Sequence, residues 1–345
     1  MLTLKQLDEI RSWLEQSQNP LFFFDNDADG LASFLLLQRY TDKGKGVAVK
    51  SFPDLSVAYT NKLYELKPDN VFILDKPLVA EGFLNCAKQL GIPVIWIDHH
   101  PIQEVKDVYY YNPLQVKPES NEPVSYWCYK ITKKDEWIAM LGCLGDWFLP
   151  EFTAEFAKLY PDIFSITKNP SEALFATEFG KFVRIISFAL KDRTSNVVKM
   201  QKALIRAKSP YEILQKEKGF ERIYERYEQI NRKYKKLLEK AKMKANKEKN
   251  KKLLYFQYGG QISMSSELAN ELIYLHPNKI VVVAYIKGLK VNASLRGAID
   301  IRELLSKALE GIKGSGGGHR NACGATLNLE ELPKFKDNLS KLIEK

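Results

Sequence analysis

Asp25-Asn26-Asp27-Ala28-Asp29-Gly30 sets three carboxylates at alternate positions directly after the apolar run Leu21-Phe22-Phe23-Phe24. Ionised acids lose hydration when they are crowded or buried, so three together need a counter-charge. A divalent cation with hard oxygen ligands supplies one. The apolar run predicts a buried strand, and Gly30 relieves the turn that follows it. Leu31, Phe34 and Leu35 then predict a short helix, with Gln38 and Arg39 off its apolar face. The acids sit at the carboxyl end of a strand, where open α/β sheets place their ligands.

Two other chemistries share parts of this pattern. An EF-hand loop also begins D-x-D-x-D-G, but its twelfth position must be a bidentate Glu and is Leu36 here. A phosphatase of the haloacid-dehalogenase type puts D-x-D after an apolar strand, with the first Asp as nucleophile. The hydroxyl residue such enzymes carry two places after the second Asp is Asp29 in this chain.

Two further stretches repeat the arrangement. Val71-Phe72-Ile73-Leu74 runs into Asp75, and Pro93-Val94-Ile95-Trp96-Ile97 runs into Asp98-His99-His100. Strands that end in acids or imidazoles, joined by helical connections, converge along one edge of a parallel sheet. Asp146, after Leu141-Gly142-Cys143-Leu144-Gly145, is a fourth candidate, on a segment whose type the pattern leaves open. The chain has four histidines, so two of them adjacent to an Asp after a buried strand favours a metal or phosphate site.

With these residues in view, the chain resembles the DHH phosphoesterase superfamily, and within it the RecJ-like, archaeal-type nuclease branch. D-x-D-A-D-G, the isolated L-D, the D-H-H triplet and the later G-D are similar to its four motifs. Gly316-Gly317-Gly318-His319-Arg320-Asn321-Ala322-Cys323-Gly324 resembles the GGGHxxAAG signature of the associated DHHA1 domain, with Cys323 where Ala is usual. Ser294-Leu295-Arg296-Gly297 stands where that domain carries its S-x-R element.

The resemblance implies two metal ions, Mn²⁺ or Mg²⁺, held by Asp25, Asp27, Asp29, Asp75, His99 and Asp146, with Asp75 as a bridge. Asp98 would orient a histidine of its motif, and His100 would touch the scissile phosphate. Two such ions activate a water and neutralise charge in the transition state. Arg296, His319 and the glycines Gly316, Gly317 and Gly318 would bind substrate phosphates, the glycines through backbone N–H groups. Bacterial members of the branch add an OB-fold domain for single strands, for which this chain has no room.

The 345 residues predict two domains: a DHH catalytic domain over 1–208 and a DHHA1 substrate-binding domain over 253–345. The first reads as a doubly wound, mostly parallel α/β sheet, after an amphipathic helix with Leu4, Leu7, Ile10, Trp13 and Leu14 on one face. The second reads as a smaller α/β domain. A basic helical linker over 209–252 joins them, with Tyr224, Tyr227, Ile230, Tyr234, Leu237 and Leu238 at helical spacing. Between Asn231 and Lys252 there are eleven Lys/Arg against two Glu, which carries most of the chain's net charge of +10. That charge suits a phosphate backbone read without sequence preference, and equally a solvated connector. Four cysteines without CxxC spacing read as reduced thiols of a cytoplasmic protein, and no apolar run is long enough for a membrane span.

Three function classes follow. The first is a Mn²⁺-dependent exonuclease on single-stranded DNA or RNA, with replication or repair proteins as partners. The second is a phosphodiesterase of short oligonucleotides or cyclic dinucleotides. The third is a Cdc45-like replication scaffold, against which the complete set of ligand positions counts.

Overall fold

The computed structural model describes residues 1–51, 53–247 and 252–344; Lys249 and Lys251 of the basic segment lie outside this set. The chain forms two compact units, 1–227 and 228–345. In the first, strands β1 (Pro20–Asp25), β2 (Lys45–Val49), β4 (Asn70–Leu74), β6 (Val94–Ile97) and β7 (Tyr109–Tyr111) make a sheet in the order β2-β1-β4-β6-β7. Every pairing in it is parallel. The two-residue strands β3 (Asp54–Leu55) and β5 (Leu78–Val79) pair separately.

Alternation along each strand explains why these strands are apolar throughout. Phe22, Phe24, Phe72, Leu74, Ile95 and Ile97 face a core shared with helices α1 (Leu4–Gln16), α2 (Ala28–Thr41), α5 (Val124–Thr132) and α6 (Glu136–Gly145). Leu21, Phe23, Val71, Ile73, Val94 and Trp96 face a second core with Leu63 of α3 (Asn61–Leu66) and Phe83 of α4 (Glu81–Gln89). Helices on both faces leave no polar side to the sheet, as in other parallel sheets. Aromatic contacts tie the layers together: Phe24 stacks on Phe34 with centroids 4.9 Å apart, and Phe23 meets Phe83 edge-on at 5.2 Å.

Register sets the strand ends level. Phe24 lies opposite Leu74, and Leu74 opposite Ile97, so Asp25, Asp75 and Asp98 share one edge. Because β2 and β4 flank β1 on opposite sides, the strand order reverses beside β1, the place where such sheets bind ligands. Asp146 follows a helix rather than a strand, since Leu141–Gly145 belongs to α6.

Two local expectations change. Leu4 is on the exposed first turn of α1, not on its apolar face. Gln38 is buried, because α2 is enclosed from Ala28 to Gln38 by the sheet and by α5 and α6. Arg39 likewise turns inward. Its Nε and Nη2 grip Asp135 at 2.8 and 2.7 Å, and its Nη1 donates to the carbonyls of Leu204, Ile205 and Ala207.

The first unit runs beyond the expected boundary at residue 208. Ile213, Phe220, Ile223 and Tyr224 are buried in its larger core, so the start of the basic segment belongs with it. The long helix Glu221–Lys247 buries Tyr224, Ile230, Tyr234, Leu238, Ala241 and Ala245, while Lys235, Lys236 and Lys240 are exposed. Leu237, at the same spacing, is only half-buried.

The second unit holds a five-stranded sheet: β8 (Leu253–Gly259), β9 (Ile280–Lys287), β10 (Lys290–Arg296), β11 (Gly314–His319) and β12 (Ala322–Asn328), in the order β11-β12-β10-β9-β8. Only β8 and β9 run parallel. Val282, Leu295, Leu305, Phe335 and Leu339 build its core with helices Arg302–Ala308 and Leu332–Glu344. The glycine run is an edge strand paired to β12.

The Arg39 cluster gives a stability test. Both partners' side chains are about one-fifth exposed or less, so solvent screens the pair weakly. Arg39→Met leaves Asp135 and three carbonyls without their donor and should lower stability by about 2–4 kcal/mol in urea unfolding. A loss below about 0.5 kcal/mol would place this residue among ordinary surface positions.

Candidate functional site

Eight of the predicted site residues meet at the carboxyl edge of the first sheet. Asp25 closes β1 and its Oδ1 accepts the Asn26 N–H at 2.9 Å. Asp27 caps α2, its Oδ1 taking the Gly30 N–H at 2.9 Å. Gly30 is required by close approach: a Cβ there would lie 2.4 Å from the Asp25 carbonyl oxygen. Asp75 follows β4 in the left-handed region, φ 59°, an uncommon conformation for a residue with a side chain. Its N–H donates to the Ile97 carbonyl at 3.0 Å, which pins this turn to the neighbouring strand.

His99 Nε2 lies 3.4 Å from Asp75 Oδ1 and 3.4 Å from Asp146 Oδ2. His100 is held differently. Its Nδ1 sits 2.8 Å from Asp98 Oδ1, and its N–H donates to Asp98 Oδ2 at 3.1 Å. Asp98 therefore orients His100. Asn112, fully buried, donates its Nδ2 to the His100 carbonyl at 2.8 Å.

Sequence reasoning missed three contributions. Both oxygens of Asp29 accept backbone N–H groups, from Val124 at 2.8 Å and Ser125 at 2.9 Å, so this acid caps the N-terminus of α5. A carboxylate there satisfies orphan donors and meets the positive end of the helix dipole. Asn112 fixes the DHH turn. Lys76, fully buried, places its Nζ 3.0 Å from Asp25 Oδ1 and 3.1 Å from the Ser51 carbonyl. A lysine directly after the strand-end Asp75 was the available signal.

The electrostatics describe a site that repels itself. Burial, then Asp27, raises the Asp25 carboxyl to about 6 against the pull of Lys76. Burial, then the neighbouring acids, lifts Asp75 and Asp146 well above the carboxylate range. Burial raises Asp27 and Asp29 too, the latter despite its helix-capping bonds. For His100 burial pulls downward, yet the Asp98 contact and nearby acids leave it raised.

The donors fit a hard divalent cation. Asp25/Asp27/Asp75, Asp75/His99/His100 and Asp29/His99/Asp146 each bring ligand atoms within 4.8 Å of one another. Asp75 Oδ1 is buried and has no hydrogen-bond partner among the described residues. Carboxylate and imidazole donors without a thiolate suit Mn²⁺ or Mg²⁺.

The remaining predicted residues are in the second unit. Arg296 and His319 both lie opposite Ala322, so they share one rung of the sheet, two strands and roughly 9–10 Å apart. Arg296 is anchored by neutral oxygens: Asn270 at 2.5 Å, Ser266 at 2.9 Å and the Leu295 carbonyl at 2.8 Å. Burial lowers its pKa to about 10. The strand Gly314–His319 is exposed along its length. Gly318 needs its freedom, at φ 142° with a Cβ 2.5 Å from the Ala322 carbonyl oxygen, and a Cβ on Gly316 would crowd Leu305 and Leu309. A Cβ on Gly317 would meet nothing within 4 Å, so packing inside the chain does not demand glycine there.

Comparison with known proteins agrees with this arrangement. Residues 250–345 match the DHHA1 domain family. RecJ from Thermus thermophilus in complex with Mn²⁺ is similar at 16% identity and TM-score 0.69, over 99% of this chain and 55% of that one. The chain thus spans little more than half the length of that RecJ. A manganese-bound exonuclease RecJ is similar at 16% identity and TM-score 0.62, over 100% of this chain and 96% of that one. A pGpG-specific phosphodiesterase from Vibrio is similar at 16% identity and TM-score 0.50, over 95% and 99%. No curated protein matches by sequence. The chain has the DHH/DHHA1 architecture of RecJ-like proteins.

The crowded acids predict a pH-dependent metal effect on stability. Asp25 carries a folded-state value of about 6 against an ordinary 3.8, so the metal-free fold binds protons more tightly than the unfolded chain. These groups therefore favour folding below about pH 4, and the benefit is lost as pH rises through their folded values. Metal-free protein should melt at progressively lower temperature as pH rises from about 4 through about 6, where Asp25 ionises, and Mn²⁺ should restore more above that range, where protons no longer compete. A melting temperature insensitive to both pH and Mn²⁺ would contradict this electrostatic picture.

Proposed function

We propose that this chain is a divalent-metal-dependent phosphodiesterase that degrades single-stranded DNA or RNA from an end, with Mn²⁺ as the favoured ion and Mg²⁺ as a substitute. The observation that carries the proposal is His99 Nε2 standing 3.4 Å from both Asp75 Oδ1 and Asp146 Oδ2, with Asp75 shared by the neighbouring ligand set of Asp25 and Asp27. When bound, a divalent ion there supplies Lewis-acid charge and an activated water for phosphodiester hydrolysis. Asp98 locks the His100 ring through Nδ1, and its carboxylate favours the imidazolium, a suitable contact for the scissile phosphate.

In the second unit, Arg296 and His319 would bind substrate phosphates. Its hydrogen-bond partners are neutral oxygens, and one Nη2 N–H remains beyond those bonds. Gly317 fits a backbone approached closely by a phosphate, given that its own chain would tolerate a side chain. The exposed Lys235, Lys236 and Lys240 support a long strand over a dinucleotide.

Two measurements test this reading. Asp75→Ala should abolish Mn²⁺-dependent cleavage of end-labelled DNA and RNA while the circular dichroism spectrum stays native. Activity that survives in that variant, or in EDTA, would refute metal-dependent hydrolysis at this cluster. Replacing Lys235, Lys236 and Lys240 by Gln should weaken strand binding and reduce the slope of log affinity against log salt by about two, with dinucleotide cleavage unchanged. Equal effects on long and short substrates would favour the short-substrate phosphodiesterase instead.

A further inference from the structure

Lys76 has no part in the reading above, yet it is a fully enclosed cation beside the acid cluster. Lysine is almost never fully buried unless it is paired. Here the whole side chain is inaccessible, and it is held from both ends. The ammonium grips Asp25 Oδ1 at 3.0 Å and the Ser51 carbonyl at 3.1 Å. Its own carbonyl accepts the indole N–H of the buried Trp96 at 3.0 Å. The left-handed turn at Asp75 fixes the backbone one residue earlier.

This position matters for how many ions the cluster can hold. Asp25, Asp27 and Asp75 form one of the possible ligand sets, and Asp25 contributes to it through a carboxylate already shared with an ammonium. A divalent ion drawn to that set would have to stand close to a buried positive charge, where screening by water is weak. Asp75/His99/His100 and Asp29/His99/Asp146 remain as ligand sets for an ion without using Asp25.

We infer that the Lys76 ammonium takes the place of one of two cations, so that this centre binds a single divalent ion. Lys76 and that ion then both offset charge on the acids. The inference rests on the metal-dependent reading above and refines the ion count that the motif resemblance implies. Asp25 becomes the partner of Lys76, and its role is to hold the ammonium rather than to ligate metal.

The test counts ions without any substrate. Mn²⁺ is titrated by calorimetry into the full chain near neutral pH, with electron paramagnetic resonance of the loaded protein and circular dichroism of each variant. The native chain should bind one Mn²⁺ and show an uncoupled six-line spectrum. Lys76→Asn, which removes the charge and opens space, should bind two and show exchange coupling. Asp25→Asn should keep one ion with the native affinity. If Lys76→Asn does not fold, Lys76→Met retains the buried stem without the charge and is read in the same way. Two coupled ions in the native chain overturn the inference whatever the variants do. One ion in both the native and the neutral variants also overturns it, since Lys76 then does not set the count. Binding of no ion at all would remove the metal reading itself, whereas loss of hydrolysis with one bound ion would touch only the proposed activity.

Discussion

Carboxylates forced together at one sheet edge are the constraint to which the rest of the first unit answers. Burial raises the carboxyl pKa of Asp25, Asp27, Asp29, Asp75 and Asp146, and neighbouring acids add to the rise for all of them but Asp29. A fold tolerates such crowding only if protons, internal cations or bound ions offset it. The structure uses several devices at once. Asp29 faces the N-terminus of α5, Asp27 caps α2, Lys76 pairs with Asp25, and His99 stands between Asp75 and Asp146. Asp75 Oδ1 accepts no hydrogen bond among the described residues, and a cation held beside it would complete the balance.

Holding these groups requires a scaffold that does not yield. The parallel sheet provides it, because its strands are buried on both faces and their register brings three strand ends level. α2 is enclosed along most of its length, so the turn that carries the first three acids is anchored at both sides. The second unit solves a different problem. It exposes a glycine strand at a sheet edge and, two strands along the same sheet, fixes an arginine with neutral oxygens.

Much of this was legible in the sequence, for identifiable reasons. The Phe-rich run and its two counterparts read correctly as strands because doubly covered strands are apolar without interruption. Their shared acid endings then gave the site edge. Asp146 was found by its motif, although the apolar run before it could not be assigned, since a fully buried helix lacks the usual periodicity. The same effect hid the burial of Gln38 and the inward turn of Arg39. That the glycine run is a strand was not legible, because composition alone does not reveal a pairing partner such as β12. Asp29 as a cap for α5, and Lys76 as a counter-ion for Asp25, depend on contacts between residues distant in sequence. Only the place of Lys76 directly after a strand-end acid hinted at the second.

The central claim is that this edge is a metal centre. Anomalous diffraction at the manganese edge, from crystals grown with Mn²⁺, tests it most directly. The account predicts a peak within coordination distance of Asp75, His99 and Asp146. A map without a peak at that edge, or with manganese only on surface carboxylates, would contradict it.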